Sequence, residues 1–262
     1  MTPAFHIPII NYHKISQQSD IGITSRKPDD FARDLALLYR WGFRTVTFKD
    51  LILNSPLPER PIVLTFDDGY KSIVENALPA LQQYGYVAVI YMPTDYIDKT
   101  NDWDVQFGGR KFAHLSRDDL RQLNDQGFEI GSHGCSHRSL LAMNDVQAMH
   151  ELAESKKKLE AILNRPVYSI SYPFGQFNRK LLQMAKECGY AFGVASLYYF
   201  KARSLNGFAP FALRRLNIYR MDSAAVFEEK VRKGTRSAFA YRDWLIQKGS
   251  SATVIWQKWF RK

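Results

Sequence analysis

The stretch IVLTFDDGYKS, Ile62 to Ser72, ends an apolar run of strand character in two adjacent carboxylates and a glycine. A second reactive group stands at GSHGCSH, where His133 and His137 are four residues apart, and a third at Tyr172, Pro173 and Phe174. Taken singly, each has an ordinary reading. Asp-Asp-Gly suits a turn, a His-x-x-x-His pair can be two solvated or capping residues, and Tyr-Pro-Phe-Gly is a rigid bend. Taken together they describe a hydrolytic site. On one helical turn the two histidines would share a face and grip a metal. Imidazole nitrogen and carboxylate oxygen suit a hard or borderline divalent cation, so His133, His137 and one of the two aspartates make a three-ligand set with positions left open for water. Water activated in this way loses its proton near neutral pH and needs an acceptor. The other aspartate supplies it.

Such residues act together only if the elements carrying them end at one place. Short β-branched or aromatic runs near 7–12, 44–48, 61–66, 86–91, 128–131, 167–171, 190–194 and 211–218 alternate with segments of helical period, which predicts strand-then-helix units around a parallel sheet. Phe31, Leu35 and Leu38 share a face after Pro28, Ser116 with Asp119 forms a cap-like start, a long helix runs from about Asn144 to Leu163, and Gly189 suits the position after a helix end. No glycine-rich phosphate fingerprint follows any strand, so the pattern favours an α/β fold of the irregular (β/α) barrel type, with seven to eight parallel strands, over an open doubly wound sheet. A barrel gathers the residues just past its strand ends on one rim. There it would place His13 after the first strand, Asp67 and Asp68 after the third, His133 and His137 after the fifth, Tyr172 to Phe174 after the sixth, and Arg214 and Arg215 on the last. Asp95 to His114 reads as a long loop over one face. One domain is expected over 1–262, its core at about 5–235 and a tail at about 236–262.

The 262 residues carry 36 Lys and Arg against 26 Asp and Glu, a net charge of +10, which favours an anionic partner such as an acidic glycan or a membrane surface. The charge is spread and not gathered in one basic run, so nucleic acid is disfavoured. Two cysteines, Cys135 and Cys188, are too few for a disulfide framework and fit a reducing compartment. The first residues lack the basic and apolar regions of a secretory signal. If Met1 is the natural start, a cytoplasmic protein is expected. The tail TVIWQKWFRK mixes aromatic and basic residues and is expected either to rest on anionic lipid at the inner membrane face or to pack its apolar side on the domain.

These residues resemble the NodB-homology polysaccharide deacetylases of carbohydrate esterase family four. TFDDG at Thr65–Gly69 is similar to the first family motif, HGCSH at His133–His137 resembles the His-Ser/Thr-x-x-His motif, and SYPFG at Ser171–Gly175 resembles the Arg-x-Pro-Tyr motif. The opening IPIINYHKIS is similar to that of the PgaB/IcaB-type branch, which implies a circularly permuted barrel. The resemblance implies Asp67 as base and Asp68, His133 and His137 as ligands of a divalent metal, zinc first, with cobalt, nickel or iron as alternatives. It also implies that Tyr172, Pro173 and Phe174 flank the substrate, the Phe174 N–H helping to hold an oxyanion. The activity implied is that of a metal-dependent carbohydrate N-deacetylase, a hydrolase removing N-acetyl groups from an amino sugar in a polysaccharide, lipopolysaccharide or lipid-linked glycan precursor.

Three departures qualify this resemblance. Gly134 replaces the motif Ser or Thr, with Ser136 or Ser132 as candidate substitutes. Ser171 replaces the arginine that positions the base, and Arg215, in LRRLNI, is expected to take its part in preference to Arg214. The general acid is ordinarily a histidine in a Leu-x-His segment late in the chain, yet no histidine follows His150. His13, ending the first strand, reaches the same rim from the other end of the chain and is the candidate acid. A buried structural role for His13, or His114 swinging in from its loop, is the alternative. A catalytically silent glycan-binding protein on the same barrel is the rival function, suggested by the change at Ser171.

Overall fold

In a computed structural model, the residues described are 7–18, 24–101, 111–196, 209–234 and 238–249. Eight parallel strands run through them: β1 (Ile9–Tyr12), β2 (Arg44–Thr45), β3 (Pro61–Phe66), β4 (Val89–Met92), β5 (Glu129–Ser132), β6 (Ser169–Ser171), β7 (Phe192–Ser196) and β8 (Leu213–Asn217). Between and after them come α1 (Pro28–Arg40), α2 (Phe48–Ile52), α3 (Leu78–Gln83), α4 (Arg117–Asp125), α5 (Asp145–Leu163), α6 (Arg179–Glu187), α7 (Ala224–Lys233) and α8 (Ala240–Gly249). Seven strands close a barrel in the order β1-β8-β7-β6-β5-β4-β3, and β3 returns to β1 with Ile9 opposite Val63 and Tyr12 opposite Phe66. The second strand is left outside this ring. It pairs only with the first two residues of β3, so the expected strand at 44–48 is cut to two residues.

The helices start where their sequences predict. Pro28 opens α1, whose Phe31, Leu35 and Leu38 are buried, and Ser116 and Asp119 form a reciprocal capping box on α4. Asn144 caps α5 in the same way, and Gly189 follows α6 at φ +77°, the left-handed turn that glycine adopts without a steric cost. The apolar faces of these helices meet outward-facing Ile10, Leu64, Ile90, Ile130 and Ile170 in one large core.

Alternate residues of the strands face the barrel interior, and they change character along it. At the floor Ile9, Val63, Val89, Tyr91 and Val194 pack with Val46 and Phe48, which close the bottom. Two residues further along β1, β3 and β8 the positions are Asn11, Thr65 and Arg215, all buried. The interior thus passes from apolar to polar toward the carboxyl ends of the strands. Among the described residues no helix is long and apolar enough to cross a membrane. The expected loop at Asp95–His114 is described only at its ends, where Thr100 bridges to Ala113 and Tyr70 to His114. Trp103 and Phe107, and the basic aromatic tail from Thr253 onward, lie outside the described residues.

Candidate active site

The Asp67-Asp68-Gly69 turn is built so that neighbouring carboxylates point apart. Asp68 and Gly69 both have positive φ, +69° and +57°, which turns the chain sharply at the end of β3. A Cβ at position 69 would stand 2.2 Å from the Met92 sulfur at φ +57°, so any other residue strains the backbone and makes Met92 shift. The turn is tied down by Asp67 N–H to the Tyr12 carbonyl at 3.0 Å and Leu115 N–H to the Gly69 carbonyl at 2.8 Å. His114 Nδ1 lies 2.7 Å from the Asp68 carbonyl. His114 is therefore a buried brace of the turn and does not swing from a loop.

Asp67 faces Arg215. The guanidinium donates to both carboxylate oxygens, Nη1 to Oδ1 at 2.7 Å and Nη2 to Oδ2 at 2.6 Å, the paired-fork geometry that gives the strongest carboxylate recognition. Its Nη groups also donate to Ser171 Oγ at 2.9 Å, Asn11 Oδ1 at 2.9 Å and Thr65 Oγ1 at 3.2 Å, while the buried Nε has no hydrogen-bond partner. Asn11 Nδ2 also reaches Asp67 Oδ2 at 3.3 Å. Burial pushes the Asp67 carboxyl up, but the Arg215 charge and hydrogen bonds and the nearby imidazoles outweigh it and bring it to about 2. The carboxylate is ionised throughout the physiological range. The arginine missing at position 171 is thus replaced in space by one from β8, and the small Ser171 side chain leaves room for it and accepts one of its bonds.

Asp68 faces the two histidines. Its Oδ1 lies 3.4 Å from His133 Nε2 and 3.0 Å from His137 Nε2, and one potential ligand atom from each of the three residues lies within 4.8 Å of the others. His133 Nδ1 is 2.7 Å from the Ser171 carbonyl; a carbonyl only accepts, so Nδ1 carries the proton and Nε2 presents its lone pair to the site. Two imidazoles and a carboxylate, all buried, fit a borderline divalent cation with further positions open. Burial opposes a charge on Asp68, yet His137 and His133 hold it well below the usual carboxylate range. The histidines do not share a helical turn. Gly134 at φ +73° and His137 at φ +54° carry the chain around an irregular loop instead.

His13 completes the rim from β1. Its Nε2 is 4.0 Å from Asp67 Oδ2, its side chain is 20% exposed, and its Nδ1 is buried without a hydrogen-bond partner. Burial lowers its pKa, with the Asp68 and Asp67 carboxylates pulling the other way. Phe174, at φ +59° in the bend after β6, lays its ring against His137 at 5.1 Å between centroids. Tyr172 and Pro173, expected beside the substrate, do not offer side chains to it. The Tyr172 ring is fully buried in the core and stacked on Phe177 at 5.4 Å, and Pro173 is buried in the bend that places Phe174. A cleft of about 260 Å³, lined by Lys14, Tyr70, Phe112, Ser72 and Asn76, adjoins the rim through the residues that directly follow His13 and Gly69.

Comparison with known proteins agrees with this geometry. The profile of the polysaccharide deacetylase family matches residues 54–193. YxkH of Bacillus subtilis (strain 168) is 29% identical over 194 residues, 72% of this chain and 64% of its own length, so the chain spans less than two thirds of that relative. The poly-β-1,6-N-acetyl-D-glucosamine N-deacetylase of Staphylococcus aureus (strain N315) is 22% identical over 209 residues, 70% of each protein. Among solved structures, the Streptococcus pyogenes deacetylase PplD in complex with acetate superposes with a TM-score of 0.71 at 25% identity, covering 86% of this chain and 97% of its own. With more than half of its length matched by the family profile and its barrel shared with a solved deacetylase, the chain belongs to the polysaccharide deacetylase family.

Proposed function

We propose that the protein is a metal-dependent hydrolase that removes the N-acetyl group from an amino sugar of a glycan or glycoconjugate. The observation that carries this reading is the pairing of Asp67, clamped by Arg215, with the Asp68, His133 and His137 donor set on the adjacent residue. Base and ligands thus face opposite sides of one turn. A divalent cation held by the three donors, zinc in the first place and cobalt, nickel or iron otherwise, would supply Lewis acidity and favour ionisation of water near neutral pH.

The remaining work falls to side chains. Asp67 accepts the proton of the attacking water, and Arg215 and Asn11 fix the direction in which its oxygens point. The backbone N–H of Phe174, in the bend after β6, is the group this reading assigns to the charge that develops on the acetyl oxygen. His13 gives a proton to the departing sugar amine. Its Nε2 stands 4.0 Å from Asp67 Oδ2, so the group that accepts the first proton and the group that gives the second flank one position on the rim. A silent glycan-binding protein was suggested by the loss of arginine at Ser171, and Arg215 removes that reason. The S. aureus relative deacetylates poly-β-1,6-N-acetyl-D-glucosamine, as its name states, which makes a β-linked N-acetylglucosamine oligomer the first substrate to test. Acetate release from a panel of N-acetylated sugars, free, polymeric and lipid-linked, is expected with added zinc and is expected to vanish on chelation. Binding without release under all metals would favour the silent alternative.

A further inference from the structure

The metal-site loop His133–His137 departs from the family motif at Gly134, and its backbone is held by an acidic side chain from another element. Glu151, on α5 and buried, accepts the backbone N–H groups of two successive residues on one oxygen: Cys135 N to Oε2 at 2.6 Å and Ser136 N to Oε2 at 3.0 Å. Its other oxygen takes the Ser136 hydroxyl at 2.5 Å. The loop carbonyls are fixed from the opposite side, Gly134 by Thr94 N–H at 3.1 Å and Cys135 by Asp95 N–H at 3.0 Å. Gly134 N–H goes to Ser132 Oγ at 3.1 Å, and that hydroxyl is bonded in turn to Ser155 of the same helix at 2.7 Å.

We propose that Glu151 is a positioning residue of the metal site, setting the loop so that the Nε2 atoms of His133 and His137 converge on Asp68. This rests on the reading of those three residues as metal ligands. Successive N–H groups turned to one side make a nest for an anion, and here the anion is a side chain of the protein's own. Ser136, one of the two serines expected to replace the missing motif hydroxyl, does so through Glu151. A Cβ on residue 134 would stand 3.0 Å from Glu151 Oε2 at φ +73°, so a motif Ser or Thr would strain the backbone and press this carboxylate out of place by a few tenths of an ångström. Glycine at 134 and the acidic brace go together.

The test measures metal affinity and not turnover. In E151Q the side chain keeps its shape and can keep its partners, one oxygen accepting the two N–H groups and the NH₂ donating to Ser136 Oγ, but the charge that strengthens the two backbone bonds is gone. Zinc affinity, from chelator competition at a temperature well below unfolding, is expected to weaken by about 10- to 100-fold. The visible spectrum of the cobalt-loaded protein should shift, because the angle between the imidazoles changes. S136A, which keeps the carboxylate and removes one donor, should show a smaller loss. If E151Q binds zinc as the wild type does, with an unaltered cobalt spectrum and only a lower melting temperature, Glu151 is merely structural and the proposal fails. Should E151Q not fold, unaltered zinc affinity and cobalt spectrum in S136A overturn the proposal equally. A wild-type chain that holds no zinc, or an H133A variant that holds it fully, brings down the metal reading itself and the inference with it.

Discussion

Asp67 and Asp68 are chemically identical neighbours, and their surroundings give them separate tasks. Asp67 has a guanidinium on both oxygens and Asp68 has two imidazoles. Asp67→Asn should therefore keep metal while losing turnover by about 10²-fold or more, since an amide accepts no proton from water. Asp68→Asn should lose metal first. Metal analysis beside acetate release separates the two, and equal metal loss in both variants would refute the division. His13 faces the same carboxylate from the other side at 4.0 Å. His13→Ala should leave metal content unchanged and reduce amide hydrolysis by about 10²- to 10⁴-fold, while an acetyl ester with a good leaving group suffers less because it departs without a proton. Equal losses on both substrates would give His13 a structural role.

The turn at the end of β3 shows how much of such a site depends on backbone shape. Gly69→Ala would add a methyl group at φ +57° and against Met92. It should cost about 1–3 kcal/mol in urea denaturation and weaken metal binding, because Asp68 is the residue before it. Undiminished stability would mean that the turn has another conformation to adopt. The turn, most strand ends and the starts of α1, α4 and α5 were legible: apolar runs ended in turn residues, and Pro28, Ser116 and Asn144 announced their helices. The polar interior was not. Asn11, Thr65 and Ser171 stand in strands where an alternating polar residue reads as solvent-facing, but in a closed barrel the alternate face is the inside. Nor could the spacing of His133 and His137 distinguish a helical turn from a loop, since what brings them together is positive φ at Gly134 and His137 and the distant Glu151. Arg215 was legible only through the family resemblance; its grip on Ser171 as well as Asp67 was not.

Across the whole barrel, a further buried carboxylate, Glu129, lies on the floor side. Glu129 accepts Ser169 Oγ at 2.7 Å and Lys49 N–H at 2.8 Å, and burial pushes its pKa up to about 7, against those bonds. Its folded value is raised above its unfolded one, so its contribution to stability is present in full below about pH 4.5 and is lost as pH rises through about 7. Between pH 5 and 8 the wild type should lose stability relative to Glu129→Gln by an amount on the order of 1–3 kcal/mol, read from urea midpoints at the two pH values. Parallel curves would show that Glu129 is ionised in the fold without strain. The opposite end of the barrel carries a different vulnerability. Where β1 meets β8 the register is two residues long, Ile10 with Leu216 and Asn11 with Asn217, and the two strands lie 206 residues apart in the chain. Asn11 and Arg215, the partners of Asp67, come one from each side of that seam. With that seam open, Asn11 and Arg215 no longer hold Asp67 from both sides, and the base is not clamped. On the proposed reading, full activity therefore waits for β8 to dock on β1 and bring Arg215 to Asp67.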